Sequence, residues 1–220
     1  MEGYEIPLFP LNTVLFPGQT LPLHIFEPRY RAMIADCLQA DRTFGVVLIR
    51  EGVEVGGPAA PYEVGTTAVI EDIERLDDGR MNIVTVGRER FRVQDYHTTD
   101  KPYLVGRVAL WPWLDYLLTE TASSRAVQQR LARYINLFSQ LSDTDIDLDL
   151  PPQHPTALAV LAAVVLQVPA EQKQALLEIP SVDELLRHLD QLLRQENREL
   201  EIMLASSHLQ DKMQHLFSQN

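Results

Sequence analysis

The 220-residue sequence predicts an α+β chain with its β half first: a β-rich pseudo-barrel with one covering helix, then a helical bundle ending in a long helix. Three observations predict it. From Val64 to Leu110 apolar residues follow the two-residue period of short strands broken by turn signals. From Val127 onward the apolar spacing lengthens to three and four, the seam of an amphipathic helix. Trp111-Pro112-Trp113 stands between the two patterns, so residues 1–113 are expected to form a β-rich subdomain and 114–220 a helical one.

The opening stretch from Ile6 to Tyr30 is apolar but interrupted by Pro7, Pro10, Pro17, Pro22 and Pro28. Each proline fixes φ and removes a donor, so short extended pieces are predicted rather than a long helix or a central strand. Ile6 and Leu8, then Leu21, Leu23 and Ile25, alternate like strands around a Pro17-Gly18 turn. Glu27-Pro28 opens a helix to Gln39, with Tyr30, Met33, Ile34, Cys37 and Leu38 on one face. Thr43 to Ile49 reads as a buried strand and Glu51 to Pro61 as a long glycine- and proline-rich loop.

Strands are then expected over 64–76, 81–86, 91–96 and 103–110, with Asp78-Gly79 as a hairpin turn. Their number and spacing argue for a closed or nearly closed antiparallel sheet. In the helical half, Val127, Leu131, Tyr134, Phe138 and Leu141 mark the first helix, Pro155 to Leu166 a buried one, and Pro169 to Leu177 a short third. Ser181-Val182-Asp183-Glu184 is a capping box for a fourth, running to about Ala205. Its apolar stripe thins beyond Glu196, where self-association through this C-terminal helix is an option.

The opening words carry a resemblance. Phe-Pro-Leu, Leu-Phe-Pro-Gly and Leu-Pro-Leu-His-Ile-Phe-Glu-Pro-Arg-Tyr closely resemble the start of the N-terminal, substrate-binding domain of ATP-dependent Lon proteases. Leu166-Gln167-Val168-Pro169 and the stretch Glu171 to Glu178 resemble the helical part of the same region. The resemblance implies a PUA-like barrel followed by a helical bundle, a substrate-binding module for proteolysis and protein quality control. Its implied partners are unfolded, misfolded or tagged protein clients and an ATP-dependent protease.

Chemistry-bearing motifs are sparse. No Gly-x-x-x-x-Gly-Lys-Ser/Thr phosphate loop, Gly-x-Ser-x-Gly or His-Glu-x-x-His stretch occurs, and none of Lys101, Lys173 and Lys212 has the context of a serine-lysine dyad. No catalytic residue, cofactor or metal site is therefore assigned, and a non-enzymatic recognition module is expected. Asp143 to Asp149 lacks the glycine and glutamate of a calcium loop and reads as a solvated acidic loop. Cys37 is the one cysteine and is expected to be packed core. The absence of a signal-peptide pattern and of any apolar run near 20 residues predicts a cytoplasmic protein without membrane contact.

The formal net charge of -12 opposes nucleic acid. An RNA-binding PUA-like module is the alternative, resting on fold analogy and on Arg88, Arg90 and Arg92, which regular alternation places on one strand face and which with Arg107 are the densest positive charge in the chain. A solvated face explains them better. For client binding the candidates are Phe9, Leu11, Val14, Leu15, Phe16 and Leu21, more apolar residues than short strands consume. They predict a groove on the loop from Pro10 to Gly18, next to the Gly52 to Pro61 loop; filling the barrel core is the competing use for each. Glu27, Arg29 and Arg31 are expected to fix the structural joint at the start of the first helix by ion pairing.

Overall fold

The computed structural model describes residues 3–57, 59–114, 121–142 and 152–217, with side chains described to Ser206. The acidic run Asp143 to Asp149 lies outside these residues. Six strands, β1 (Tyr4–Leu11), β2 (Thr20–Ile25), β3 (Thr43–Gly52), β4 (Ala59–Arg75), β5 (Met81–His97) and β6 (Leu104–Leu110), form one sheet in the order β2-β5-β4-β3-β1-β6. Five helices accompany them: α1 (Pro28–Gln39), α2 (Ala122–Ser142), α3 (Pro155–Val165), α4 (Ala170–Leu177) and α5 (Val182–Phe217).

The sheet is mixed, not wholly antiparallel, because β1 and β3 pair in parallel while the other pairs are antiparallel. The ends of the sheet meet through the long β5: its first half pairs with β2 over Met81 to Val86, its second with β6 over Phe91 to His97. That division is what makes a pseudo-barrel from a six-stranded sheet.

β1 is a central strand in the sheet order, contrary to the expectation from its prolines. Tyr4 to Leu8 pair with β6, and Leu8 to Leu11 pair with β3. Pro7 and Pro10 each sit where β1 has a partner on one side only, so a missing N–H is lost to no second ladder. The Pro17-Gly18 turn takes its expected form. Gln19 N–H donates to Phe16 O at 3.1 Å and Gly18 has φ of 81°, the left-handed value that the third residue of a type II turn requires. Gly79, also at φ 81°, takes a different place in the β4–β5 turn: its N–H donates to Leu76 O at 2.9 Å, and Leu76 N–H donates to Arg80 O at 2.9 Å.

Two cores result from the strand alternation. Phe9, Leu11, Ile25, Phe44 and Ile83 pack with Tyr30, Met33, Ile34 and Cys37 of α1. Ile6, Leu8, Val47, Phe91, Val93 and Val108 form the other. A Cβ on Gly45 would meet Phe91, Leu8 and Ile6, so glycine leaves the space those side chains fill.

The chain divides into two compact units: Met1–Trp113 with Gln167–Ile179, and Leu114–Leu166 with Pro180–Asn220. The segment holding α4 therefore belongs with the strands, whereas a linear division at 113/114 assigns it to the bundle. Gln174 donates its side-chain N–H to Val64 O at 3.0 Å, and the α4 residues Leu176 and Leu177 are buried. In the other unit α2, α3 and α5 pack together. Val182, Leu185, Leu186, Leu189 and Leu193 of α5 are buried, and Ser181 Oγ accepts the N–H of Glu184, one half of the capping box. Farther along α5, Ile202 and Met203 are exposed.

Candidate functional site

The six apolar residues expected to line a groove are mostly in the core. Phe9, Leu11, Val14 and Leu15 are each 5% exposed or less and Phe16 is fully buried, while Leu21 is half-buried against the α1-covered core. The physical reason is the tightness of the Pro10 to Gly18 connection. It folds back onto the sheet, where Thr66 Oγ1 donates to Leu15 O at 2.6 Å and Gly87 lies against Phe16 O. A segment anchored by its backbone across β4 and β5 brings its side chains inward rather than offering them to solvent.

Other apolar residues of this unit are exposed, Tyr4 and Phe26 among them. Val53 is 54% and Val55 57% exposed, both on the loop joining β3 to β4, and Tyr96 near the end of β5 is 40% exposed. The loop is shorter than the sequence implies, because Glu51 and Gly52 already pair with Ala60 and Ala59. It is tethered to the start of α1. Arg29 donates to Gly57 O at 2.9 Å and to Glu54 O at 3.0 Å, and its Nε to Glu27 Oε2 at 3.1 Å. The same Glu27 oxygen accepts Gly56 N–H at 3.2 Å, and the Glu54 carboxylate accepts Asn12 N–H at 3.0 Å. Arg31 instead leans over the hairpin turn, where a Cβ on Gly79 would meet its guanidinium.

Beside this tether is a cleft of about 310 Å³. Pro10, Ala59, Pro102 and Leu104 supply aliphatic wall. Tyr30, Tyr96 and Tyr103 supply rings, and Arg29, His97 and Thr98 supply polar atoms. Arg29 also stacks on Tyr30, 4.5 Å from the ring centroid. Burial pushes the Tyr30 phenol up to about 12, despite the opposing pull of Arg29, so it is a neutral hydroxyl. The Tyr103 hydroxyl is spent on Asp36 at 2.6 Å, and Lys101 pairs with the same carboxylate at 2.8 Å. These two partners hold the Asp36 carboxyl below its ordinary value. His97 faces Glu5 through Nε2 at 3.6 Å, while its buried Nδ1 has no partner among the described residues.

A second, larger cavity of about 640 Å³ has a more acidic lining, with Glu5, Asp36, Asp41 and Glu89 beside Arg88. Cys37 borders it but is 2% exposed, and burial pushes its thiol up to about 12. That thiol is no nucleophile near neutral pH. Among the described residues no group of three or more His, Cys, Asp and Glu could hold a metal ion, and no helix is long and apolar enough to cross a membrane.

The cationic stripe needed for RNA does not form. β4 and β5 are out of step between Thr66↔Arg90 and Ala68↔Gly87, so β5 carries one extra residue there. The bulge turns Arg88 outward, into a 2.6 Å ion pair with Glu71, and Arg90 inward to 2% exposure. Regular alternation from the sequence gave no sign of this slip. Trp111-Pro112-Trp113 was the available hint, because the Arg90 guanidinium packs between those rings, 4.5 Å from the Trp111 centroid and 3.9 Å from that of Trp113.

The β-rich unit thus presents a tethered loop beside a cleft that no carboxylate lines. The profile of the ATP-dependent protease La (LON) substrate-binding domain matches residues 5–195, and the chain belongs to that family. It is 30% identical over 213 residues to Lon protease 2 of Herpetosiphon aurantiacus, covering 96% of this chain and 26% of that protein. Lon protease 2 of Myxococcus xanthus is 32% identical over 212 residues, 92% of this chain and 24% of that protein. The chain thus spans about a quarter of the length of these relatives. Protein cereblon of Xenopus tropicalis is similar over 49% of the chain, at 32% identity across 112 residues and 24% of that protein. Among solved structures, the Lon N-terminal domain protein of Xanthomonas campestris superposes with a TM-score of 0.66 at 29% identity, covering 84% of this chain and 96% of that one.

Proposed function

We propose that this chain is a non-enzymatic protein-recognition module that captures exposed apolar segments of unfolded or tagged proteins for an ATP-dependent protease. The observation that carries this reading is the juxtaposition of the cleft with exposed Val53, Val55 and Tyr96, apolar surface left in water beside a concavity. The family supports the substrate class, and because Phe9, Leu11, Val14, Leu15 and Phe16 are buried, the contact surface in this reading is the 53–57 loop with the end of β5.

The test is binding of a denatured client and suppression of its aggregation by the full chain, compared with Val55→Asp and Tyr96→Asp. Both side chains are exposed, so each variant should keep its thermal midpoint while losing on the order of tenfold in affinity. Wild-type affinity in both variants would overturn the placement, and no binding by the parent protein would overturn the function.

A further inference from the structure

We infer that the cleft at Arg29 selects the C-terminal residue of its client, an apolar side chain carrying a free α-carboxylate. This deepens the reading above and rests on it. The chain has 31 acidic residues, yet none lines this cleft, while four border the cavity near Cys37. In a protein of net charge -12, a carboxylate-free concavity with an arginine in its wall is the place where a guest anion meets least repulsion. Two carboxylates near it are engaged: Glu27 by Arg29 and Gly56, and Asp36 by Lys101 and Tyr103.

Arg29 has donors to spare. A guanidinium has five N–H groups, and the bonds to Glu27, Gly57 and Glu54 use three, leaving two for a carboxylate. Its side chain is 25% exposed, and it lines the cleft. The neutral Tyr30 hydroxyl adds an uncharged polar group to the same wall. Pro10, Ala59 and Leu104 form the apolar part of the same lining, against which a terminal Leu or Phe side chain would pack. A cleft of about 310 Å³ holds one large side chain with its terminus, not a folded element.

The experiment measures fluorescence anisotropy of labelled ten-residue peptides ending in Phe, as the free acid and as the C-terminal amide, on the full chain. The free acid should bind about tenfold or more tighter than the amide, and the difference should shrink as salt rises. Thr98→Glu puts a carboxylate at an exposed position of the rim. It should remove the preference by weakening the free acid more than the amide, and leave the thermal midpoint unchanged. Arg29→Gln should remove the preference too, and the rim variant covers the case in which loss of the tether disturbs the fold. Equal binding of acid and amide by the parent protein, or a preference that survives Thr98→Glu, overturns C-terminal selection while leaving apolar capture standing. Binding of neither peptide overturns both.

Discussion

Two arginines tie distant segments to the β-rich unit, and they do so in opposite ways. Arg29 holds the 53–57 loop through the carbonyls of Glu54 and Gly57, with Glu27 as counter-ion and a quarter of its side chain in water. Arg90 holds the end of α4 through the carbonyls of Leu177 at 2.6 Å and Ile179 at 2.8 Å. Among the described residues it has no carboxylate partner, and burial lowers its pKa to about 9. Its Nε and Nη2 find no partner among the described residues and face tryptophan rings instead. A cation at the C-terminal end of a helix meets the negative end of its dipole, which offsets part of the desolvation.

The contrast teaches what each tether can tolerate. Arg29 is partly solvent-exposed, so releasing the loop is expected to cost less than releasing Arg90. Arg90 cannot be released into water without exposing two tryptophans and orphaning two buried carbonyls. One is a clasp and the other a rivet.

Substitutions test the difference in order of size. Arg90→Ala should destabilise the protein by about 3–5 kcal/mol, since it combines a cavity with two unsatisfied carbonyls; urea denaturation measures it. A loss below about 1 kcal/mol would break the comparison. Arg90→Lys keeps the charge but loses the planar fork and the stacking, so about 2 kcal/mol should go, with faster amide exchange confined to 170–179. Arg29→Ala should cost only about 1 kcal/mol, with faster exchange confined to 53–57, because water can reach the carbonyls it leaves. Arg88→Ala removes an exposed ion pair with Glu71 on the same strand as Arg90 and should fall within about 0.5 kcal/mol of the parent.

The opening stretch supplies a control on the other side. Phe16→Asp buries a carboxylate at a fully buried site, so it should unfold the β-rich unit by near-ultraviolet circular dichroism rather than disable a groove selectively.

Much of this molecule was legible from the sequence, for local reasons. Pro28 at a helix start, Gly79 and Gly18 at turns needing positive φ, Ser181 as a cap and Cys37 on a helix face each follow from the chemistry of one residue and its near neighbours. The family words of the opening stretch belong to the same level. What the sequence could not determine depends on partners distant along the chain. Whether Pro7 and Pro10 interrupt β1 turns on which flank of β1 is paired, and whether Arg90 faces water turns on one extra residue in β5 opposite β4. Whether Phe16 or Val55 meets a client is decided by which apolar residues the sheet covers, and a residue's hydrophobicity reads the same in either place.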